Sequence, residues 1–391
     1  MKLHIAFTSS LVLWHSQLRR KDVMNKLLTL TCAALVSTAS LATEAPQILM
    51  VLSSHGKLDD QQKLVQPGYE FGELSKAYHV FNRHGIEVTL ASPSGGEPIA
   101  DQYDKSVKYN QAFLQDPVAM KALKNTFSLA SIDPSEFDGI FVVGGKGPMF
   151  DLYQHQPLQE IIAEMYESKG VVGAVCHGPA ALVDVKLSDG SYLVDGKRVN
   201  GFTNQEESAF GKKWRDKFEF LLEDKLIERG AHFEKDGLML NQVTIDGNLI
   251  TGQNPFSTVD TARAMVSGLG VELLPLREYQ DDASVKLYEL FLRNPELAKK
   301  KYESSSEYYD LNMLAMMSVL QIRHAETEFQ VESSARFLSY ILTKTSHPVM
   351  ELTLAKAYVR LNQREKAMAL LNKSAKLYPK NQQIKSFIAS L

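Results

Sequence analysis

Hydrophobic positions follow two alternating patterns between about residues 47 and 270. Short runs in which almost every residue is apolar predict strands that are covered on both faces. Between them, apolar residues three and four positions apart predict amphipathic helices. The strands are predicted over 47–53, 86–92, 137–145 and 170–176, a hairpin over 242–252 with its turn at Asp246-Gly247, and helices over 69–84, 158–168 and 257–269. This alternation predicts an α/β fold with a parallel sheet sandwiched by helices.

The pattern changes after about residue 275. Glycine is absent from there to the end of the sequence, and helices are predicted over 310–322 and 331–343. The segment 349–381 is similar to one tetratricopeptide repeat, in which small residues let two antiparallel helices approach closely. The matching positions are Ala355, Tyr358, Ala367, Leu371 and Pro379. A single repeat cannot bury its own apolar face, so either the upstream helices or the α/β part must cover it.

The length and charge of the chain limit the classes of function. A chain of 391 residues exceeds the usual size of one hydrophobic core, which favours two domains. We predict an α/β catalytic domain over 43–272 and a small all-α tetratricopeptide-like domain over 273–391. The formal net charge is −3, without the basic excess that binds phosphate backbones, so no nucleic-acid partner is expected.

The first 42 residues have the pattern of a cleaved export signal. Met24 begins a segment with Lys26 near its start, an apolar run over 27–36 and small residues up to Ala42. The apolar run is too short to span a bilayer, so no stable membrane insertion is expected. We predict cleavage after about Ala42 and a periplasmic location, with Met24 as an alternative translation start.

The two cysteines occupy different parts of this arrangement. Cys32 lies in the predicted leader, which leaves Cys176 without a partner for an intramolecular disulfide. Cys176 lies where the strand over 170–176 passes into HGPAALV, which has the pattern of a helix start. Such a turn can point a nucleophile outward, and the positive end of a helix favours the thiolate. His177 follows directly, as a proton acceptor or through its backbone N–H. A small buried apolar residue is the alternative interpretation of Cys176.

Four segments, in this order, resemble the ThiJ/PfpI superfamily. They are FVVGGKGPMFDL, AVCHGPAAL, GFTNQEE and TGQNP, and AVCHGP is the most specific of them. The resemblance covers about residues 46–270 and is strongest to the glyoxalase III and chaperone branch. It implies a flavodoxin-like, glutamine-amidotransferase-like fold, and it does not account for the residues after 275.

The resemblance implies roles for several residues. Cys176 matches the nucleophile and His177 the histidine beside it. Glu73, in EFGELSKAY, matches an acid that hydrogen-bonds the cysteine sulfur, which requires a raised carboxyl pKa if it is to donate a proton. Without the resemblance, Glu73 would be interpreted as a charge on a surface helix. Glu207 matches a third acid, but Glu206 precedes it, and the sequence leaves open which of the two faces His177.

The same resemblance implies an oxyanion site and two departures from the family pattern. Gly144 and Gly145 match a turn whose backbone N–H groups line that site, where glycine permits a close approach. Lys146 stands where relatives often have histidine, which makes the pocket more positive. Asn204 stands where relatives often have aspartate. These departures leave the physiological substrate open.

The implied activity is the conversion of a small α-oxoaldehyde, such as methylglyoxal, to a hydroxy acid through a hemithioacetal on Cys176. The base is His177 or Glu207. A second hypothesis is an amidase, peptidase or deglycase that uses the same residues. A third is a holdase or binding protein that contacts peptides or proteins through the C-terminal helices. A homodimer is implied by the superfamily only.

The sequence favours neither a metal nor a cofactor. Four histidines are scattered without the spacing of a zinc site. They are His55, His79, His84 and His155. The segment GGKGP lacks the spacing of a phosphate-binding loop.

Overall fold

The computed structural model describes residues 44–391. The predicted leader, the cleavage position after Ala42 and the alternative start at Met24 lie outside the described residues. The strands are β1 (Gln47–Val51), β2 (Lys57–Leu58), β3 (Leu64–Gln66), β4 (Glu87–Ser92), β5 (Phe127–Ser128), β6 (Gly139–Val142), β7 (Val171–Val175), β8 (Arg198–Val199), β9 (His232–Phe233), β10 (Val243–Asp246) and β11 (Leu249–Gly252). Seven of them form one sheet in the order β10-β11-β7-β6-β1-β4-β5.

This sheet is parallel except at one edge, where β10 and β11 form the predicted antiparallel hairpin. Gly247 in its turn has a φ of +62°, which glycine adopts without strain. The central strands β6 and β7 are buried along their whole length, as expected for apolar runs covered on both faces. The predicted α/β class is therefore confirmed.

Helices cover the sheet. They are α1 (Phe71–Arg83), α2 (Lys108–Gln115), α3 (Pro117–Lys124), α4 (Gln156–Glu167), α5 (Asn204–Phe210), α6 (Lys212–Arg215), α7 (Leu222–Glu228) and α8 (Thr258–Gly268). Helices α1 and α8 pack against each other, and both α4 and α8 pack on β7. Apolar side chains of these helices and of the strands form one large hydrophobic core.

The prediction of a helix start after Cys176 needs a correction. Residues Gly178–Leu182 form a single short 3₁₀ helix and no α-helix follows directly. Gly178 lies so close to β6 that a Cβ atom there would be 2.5 Å from the carbonyl oxygen of Val142. A turn of this length aligns few peptide dipoles, so it supplies less positive potential to the sulfur than a full helix does.

The region after residue 275 is all-helical. Its helices are α9 (Gln280–Arg293), α10 (Pro295–Ser304), α11 (Leu311–His324), α12 (Glu328–Ile341), α13 (Pro348–Arg360), α14 (Arg364–Leu377) and α15 (Gln382–Ser390). No helix between residues 44 and 391 is both long enough and apolar enough to cross a membrane. Residues 45–391 form one compact unit, so the predicted boundary between 272 and 273 stays a prediction.

Helices α13 and α14 form the pair predicted from the segment 349–381. Ala355, Ala367 and Leu371 meet in one buried apolar cluster, which Ile384 of α15 completes. The small side chains therefore lie at the contact between the two helices, as the pattern predicted. The neighbouring cluster contains residues of α11, α12 and α13, so the upstream helices cover the other face of the pair.

Candidate active site

Cys176 lies in a strained turn at the carboxyl end of β7. Its φ is +61°, a left-handed backbone conformation that residues other than glycine and asparagine rarely adopt. Its N–H donates to the carbonyl oxygen of Gly252 and its carbonyl oxygen accepts from the N–H of Phe202, both at 2.8 Å. Backbone hydrogen bonds on both sides therefore hold the strain in place. The side chain is 4% exposed.

His177 connects the cysteine to a carboxylate. Its Nδ1 lies 3.5 Å from Cys176 Sγ, and its Nε2 lies 2.7 Å from Glu207 Oε2. An ionised carboxylate only accepts hydrogen bonds, so Nε2 carries the proton and the lone pair of Nδ1 faces the sulfur. The three side chains form a sulfur–imidazole–carboxylate series in which the imidazole is placed to accept the thiol proton.

The imidazole of His177 is neutral at neutral pH. Burial lowers its pKa, and the hydrogen bond with Glu207 opposes this effect. The ring also packs on Phe202, with 4.3 Å between ring centroids. A neutral, fixed imidazole is the form that can take up a proton.

The two adjacent glutamates of α5 have different surroundings. Thr203 caps this helix, and its backbone N–H donates to Glu206 Oε2 at 2.9 Å. Glu206 Oε1 accepts from three further donors, each at 2.9 Å. These are Met239 N, Gln253 Nε2 and Asn254 Nδ2. Glu206 therefore joins three chain segments, and Glu207 is the residue that faces His177.

Glu73 is fully buried, so the interpretation of a surface charge is wrong. Its Oε2 accepts from the N–H of Gly144 at 2.8 Å, and its Oε1 has no hydrogen-bond partner among the described residues. Burial first, and the charge of Glu70 second, raise the pKa of Glu73 well above its ordinary value. The unpartnered oxygen is thus the atom of the carboxyl group that can carry a proton.

The surroundings of Cys176 correct the expectation of a lowered thiol pKa. Burial first, and the charge of Glu73 second, raise the pKa of Cys176 well above its ordinary value. The N–H of Gly145 and the charge of Lys146 act in the opposite direction. Protonation of Glu73 removes the second cause, so the pKa of Cys176 depends on whether Glu73 carries a proton.

The two glycines after β6 allow this close packing. A Cβ atom on Gly144 would lie 2.5 Å from the carbonyl oxygen of Val175 and 2.7 Å from Cys176 Cβ, and Gly145 has a φ of +91°. The N–H of Gly144 is donated to Glu73 Oε2, which leaves the N–H of Gly145 for an oxyanion, and this role stays a prediction. The N–H of Gly145 acts to lower the pKa of Cys176.

This geometry agrees with what comparison with known proteins finds. Residues 64–267 match the DJ-1/PfpI family. The chain belongs to the DJ-1/PfpI family. The predicted ThiJ/PfpI resemblance is thereby confirmed, and the family match ends before the C-terminal helices.

Two named glyoxalases are similar to this chain over most of their own length. The glutathione-independent glyoxalase hsp3101 of Schizosaccharomyces pombe is 32% identical over 237 residues, which are 58% of this chain and 96% of that protein. Glyoxalase 3 of Candida albicans is 30% identical over 236 residues, which are 56% of this chain and 97% of that protein.

Solved structures show the same fold. The crystal structure of glyoxalase III from Candida albicans has a TM-score of 0.51 at 30% identity and covers 58% of this chain and 98% of that chain. The Rapid Encystment Protein of 24 kDa from Francisella tularensis has a TM-score of 0.53 at 34% identity and covers 57% and 99%.

Sequence reasoning missed the aromatic side chains around this DJ-1/PfpI site. Phe218 lies 5.9 Å from His177 and 5.3 Å from Phe150, measured between ring centroids, and Phe150 stacks on His55 at 4.4 Å. Trp214 and Phe218 lie in a short polar stretch without periodicity, so only the density of aromatic residues there could have indicated them.

Between residues 44 and 391, no group of three or more His, Cys, Asp or Glu side chains is arranged to hold a metal ion.

Proposed function

We propose that this chain is a glutathione-independent glyoxalase that converts a small α-oxoaldehyde such as methylglyoxal to a hydroxy acid, with Cys176 as the nucleophile. The observation that carries this proposal is the series from Cys176 through His177 to Glu207, with buried Glu73 beside the sulfur. The names of the relatives, which this chain matches over almost their full length, support the same reaction class.

In the first step, His177 Nδ1 accepts the thiol proton and the sulfur adds to the aldehyde carbon. The product is a hemithioacetal, whose oxygen takes up the negative charge. A protonated Glu73 and the N–H of Gly145 are the donors beside the sulfur that can stabilise this charge. The raised pKa of Glu73 supports its role as a proton donor.

In the second step, a base removes the hydrogen from the carbon that carries the sulfur and gives an enediolate. Return of a proton to the neighbouring carbon produces a thioester of lactate, which water hydrolyses to lactate and the free thiol. The net reaction adds one water to methylglyoxal and requires no cofactor. His177 first gives the proton that it took from the thiol to the hemithioacetal oxygen and is then neutral again. It is the base that the geometry favours, because Glu207 lies behind the imidazole and contacts Nε2.

The test is consumption of methylglyoxal by the purified protein without glutathione, with lactate measured as the product. Cys176→Ala should lower the rate about a thousandfold or more, because the sulfur that forms the hemithioacetal is lost. Activity in Cys176→Ala would reject the mechanism. A folded wild type that makes no lactate would reject the function and direct the search to amide and peptide substrates.

We also propose that the C-terminal helices are a tetratricopeptide-like surface for an acidic peptide. A groove of about 680 Å³ is lined by α11, α13 and α15, and three of its lining residues are the cations Arg323, Lys356 and Arg360. None of the lining residues is acidic. A labelled acidic peptide should bind the wild type, and Lys356→Glu with Arg360→Glu should abolish binding; equal binding of a neutral peptide would contradict the proposal.

Two further proposals concern location and assembly. Residues 1–42 would direct export to the periplasm, so the mature protein is expected to start at Thr43. Mature protein that retains Met1 or Met24 would contradict this. Homodimerisation is expected from the superfamily, and light scattering should give twice the mass of the mature chain. A monomeric mass would reject it.

A further inference from the structure

A buried ion pair joins the helix of Glu73 to the C-terminal helices. Lys76 lies one turn after Glu73 on α1 and is 2% exposed. Its Nζ donates to Asp281 Oδ2 at 2.8 Å and to Asp282 Oδ1 at 2.6 Å, and both aspartates belong to α9. The α1 helix thus has a charged attachment to the C-terminal region directly next to its candidate site residue.

Aromatic rings enclose this ion pair. Lys76 Nζ lies 4.7 Å from the ring centroid of Tyr109, 5.7 Å from that of Phe256 and 5.8 Å from that of Tyr279. An ammonium group removed from water in this way is stable only when its geometry is well defined and it keeps its partners. The pair therefore fixes α1 and α9 relative to each other more strictly than a surface salt bridge would.

A second set of contacts attaches the C-terminal helices to the helix of Glu207. Gln205 Nε2 in α5 donates to the carbonyl oxygen of His324, at the end of α11, at 3.0 Å. Gln321 Nε2 in α11 donates to the carbonyl oxygen of Leu238 at 2.5 Å. Helix α11 thus contacts both α5 and the segment 236–241, which contains Leu238.

The segment 236–241 contacts both α9 and the start of α5. Asn241 N donates to Glu289 Oε1 of α9 at 2.6 Å, and Met239 N donates to Glu206 Oε1 at 2.9 Å. Glu206 directly precedes Glu207. The two acids of the candidate site are therefore both held by helices that also contact the C-terminal region.

We propose that the C-terminal helices are a structural part of the active site, with Lys76 and Asp282 as positioning residues that fix the helix of Glu73. This inference rests on the proposed function, because the position of Glu73 matters only if the carboxyl group acts on Cys176. The family match ends at residue 267, so the arrangement is an addition of this chain to the matched region.

The charges at this contact give the proposal a measurable consequence. The charge of Lys76 lowers the pKa of Glu73, against the effects of burial and of Glu70. Asp282 balances part of the Lys76 charge, so its removal should let Glu73 ionise more readily. Ionised Glu73 raises the pKa of Cys176, and thiolate formation should then require a higher pH. The other charged or titratable groups around Lys76 and Asp282 are Asp281, Tyr109, Tyr279 and Lys286. Those around Glu73 and Cys176 are Glu70, Lys146 and His177.

The decisive experiment compares Asp282→Asn with Glu351→Gln in the full chain. Glu351 is likewise a buried acid of the C-terminal helices, but both of its oxygens accept from serine hydroxyl groups of that region. Kinetics with methylglyoxal and the pH profile of Cys176 alkylation by iodoacetamide would be measured for both. Mass spectrometry of the peptide that contains Cys176 separates it from Cys32.

For Asp282→Asn, kcat should fall about tenfold with KM changed by less than about twofold, because misplaced groups slow chemistry more than binding. Its alkylation profile should move to higher pH. Glu351→Gln should leave both readouts at wild-type values. Urea unfolding checks that each variant is folded, and Asp281→Asn replaces Asp282→Asn if the latter is not.

Unchanged kinetics and alkylation in the aspartate variants would overturn the inference and leave the contact with a stabilising role only. Equal losses in Glu351→Gln would also overturn it, since they would indicate general destabilisation. If the wild type makes no lactate, the proposed function fails, yet the alkylation profiles still test whether α9 controls the pair of Glu73 and Cys176.

Discussion

The candidate site and the C-terminal helices both bury acidic side chains, but they satisfy them differently. In α13, Glu351 is 5% exposed, its Oε1 accepts from Ser346 Oγ at 2.9 Å, and its Oε2 accepts from Ser374 Oγ. In the site, Glu73 and Glu207 each have one oxygen with a partner and one buried oxygen without a partner among residues 44–391. The helix-packing acid has hydrogen bonds on both oxygens, whereas each candidate site acid has one buried oxygen that no other described residue contacts by a hydrogen bond.

The backbone shows the same contrast. Asn362, between α13 and α14, has a φ of +57°, a conformation that asparagine tolerates because its short side chain bonds locally. Cys176 has a φ of +61° without that advantage. In the helical region a suitable residue type relieves the strain, and in the site the surrounding hydrogen bonds maintain it.

Two buried acids depart from this contrast between the site and the C-terminal helices. Glu206 lies in the site region but is satisfied like Glu351, since it accepts hydrogen bonds on both oxygens. Asp282 lies in α9, yet its Oδ2 is buried without a partner in the described part of the chain. It is also the residue through which the C-terminal helices hold Lys76, so its incomplete pairing agrees with a role near the site.

The largest effect in this comparison is expected at Glu207. Glu207→Gln should lower kcat about a hundredfold, because an amide no longer fixes the tautomer and orientation of His177. The hydrogen bond with Glu207 raises the pKa of His177. The acid limb of kcat/KM that belongs to His177 should therefore move to lower pH in the variant. A pH profile identical to that of the wild type would contradict the assigned contact.

Glu206→Gln is the matched control on the same helix. At Oε1 the amide NH₂ would face three N–H donors and at Oε2 the N–H of Thr203, so unfolding in urea should show a loss of about 2 kcal/mol. Activity per folded molecule should fall about fivefold at most, far less than in Glu207→Gln, because Glu206 helps to hold the start of α5 but does not contact His177. The reverse assignment, with a large loss of kcat in Glu206→Gln and little in Glu207→Gln, would show that the two roles are exchanged.

The two adjacent acids Glu206 and Glu207 also show what the sequence can and cannot predict. The apolar runs predicted the four central strand segments, because burial on both faces leaves a direct trace in the composition of a strand. The ThiJ/PfpI resemblance named Cys176, His177 and Glu73 as candidate site residues, and their roles stay predictions. The choice between Glu206 and Glu207 was out of reach, because it depends on donors from 239 and 253–254 that only the tertiary structure assembles.

The expected thiol pKa was wrong for a related reason. A local pattern of strand, turn and helix start predicts a positive potential at Cys176. Burial and the charge of Glu73 decide the direction instead, and both come from elements distant in sequence. The contact of Lys76 with Asp281 and Asp282 likewise spans more than 200 residues and leaves no local pattern.

A smaller effect is expected from Glu73→Gln, and it depends on pH. Burial raises the folded-state pKa of Glu73 above the ordinary value of 4.5, so the unfolded chain loses its proton at lower pH than the folded chain. Stability of the wild type therefore falls as pH rises above about 4.5, up to the folded-state pKa. Glutamine removes this loss, and urea unfolding should show a more stable variant at pH 7 and a similar one at pH 4.

Glu73→Gln also tests the influence of the Glu73 charge on the thiol of Cys176. Without the charge of Glu73, the alkylation profile of Cys176 should move to lower pH. The amide still accepts from Gly144 through its oxygen, so the turn is expected to stay intact. An alkylation profile that does not move would show that Glu73 has no influence on the thiol.

The smallest effect is expected at Glu351, the fully satisfied acid of the helical region. Glu351→Gln keeps one acceptor for a serine hydroxyl and places an NH₂ group at the other, where that hydroxyl can turn and accept. Unfolding should show a loss of about 1 kcal/mol, with kcat and the Cys176 alkylation profile unchanged. The changed kinetics of Asp282→Asn and the unchanged kinetics of Glu351→Gln would together restrict the influence of the C-terminal helices to the contact at Lys76. A loss of kcat in Glu351→Gln would instead mean that the whole helical region is coupled to the site, and the comparison between satisfied and unsatisfied acids would no longer separate structural from catalytic groups.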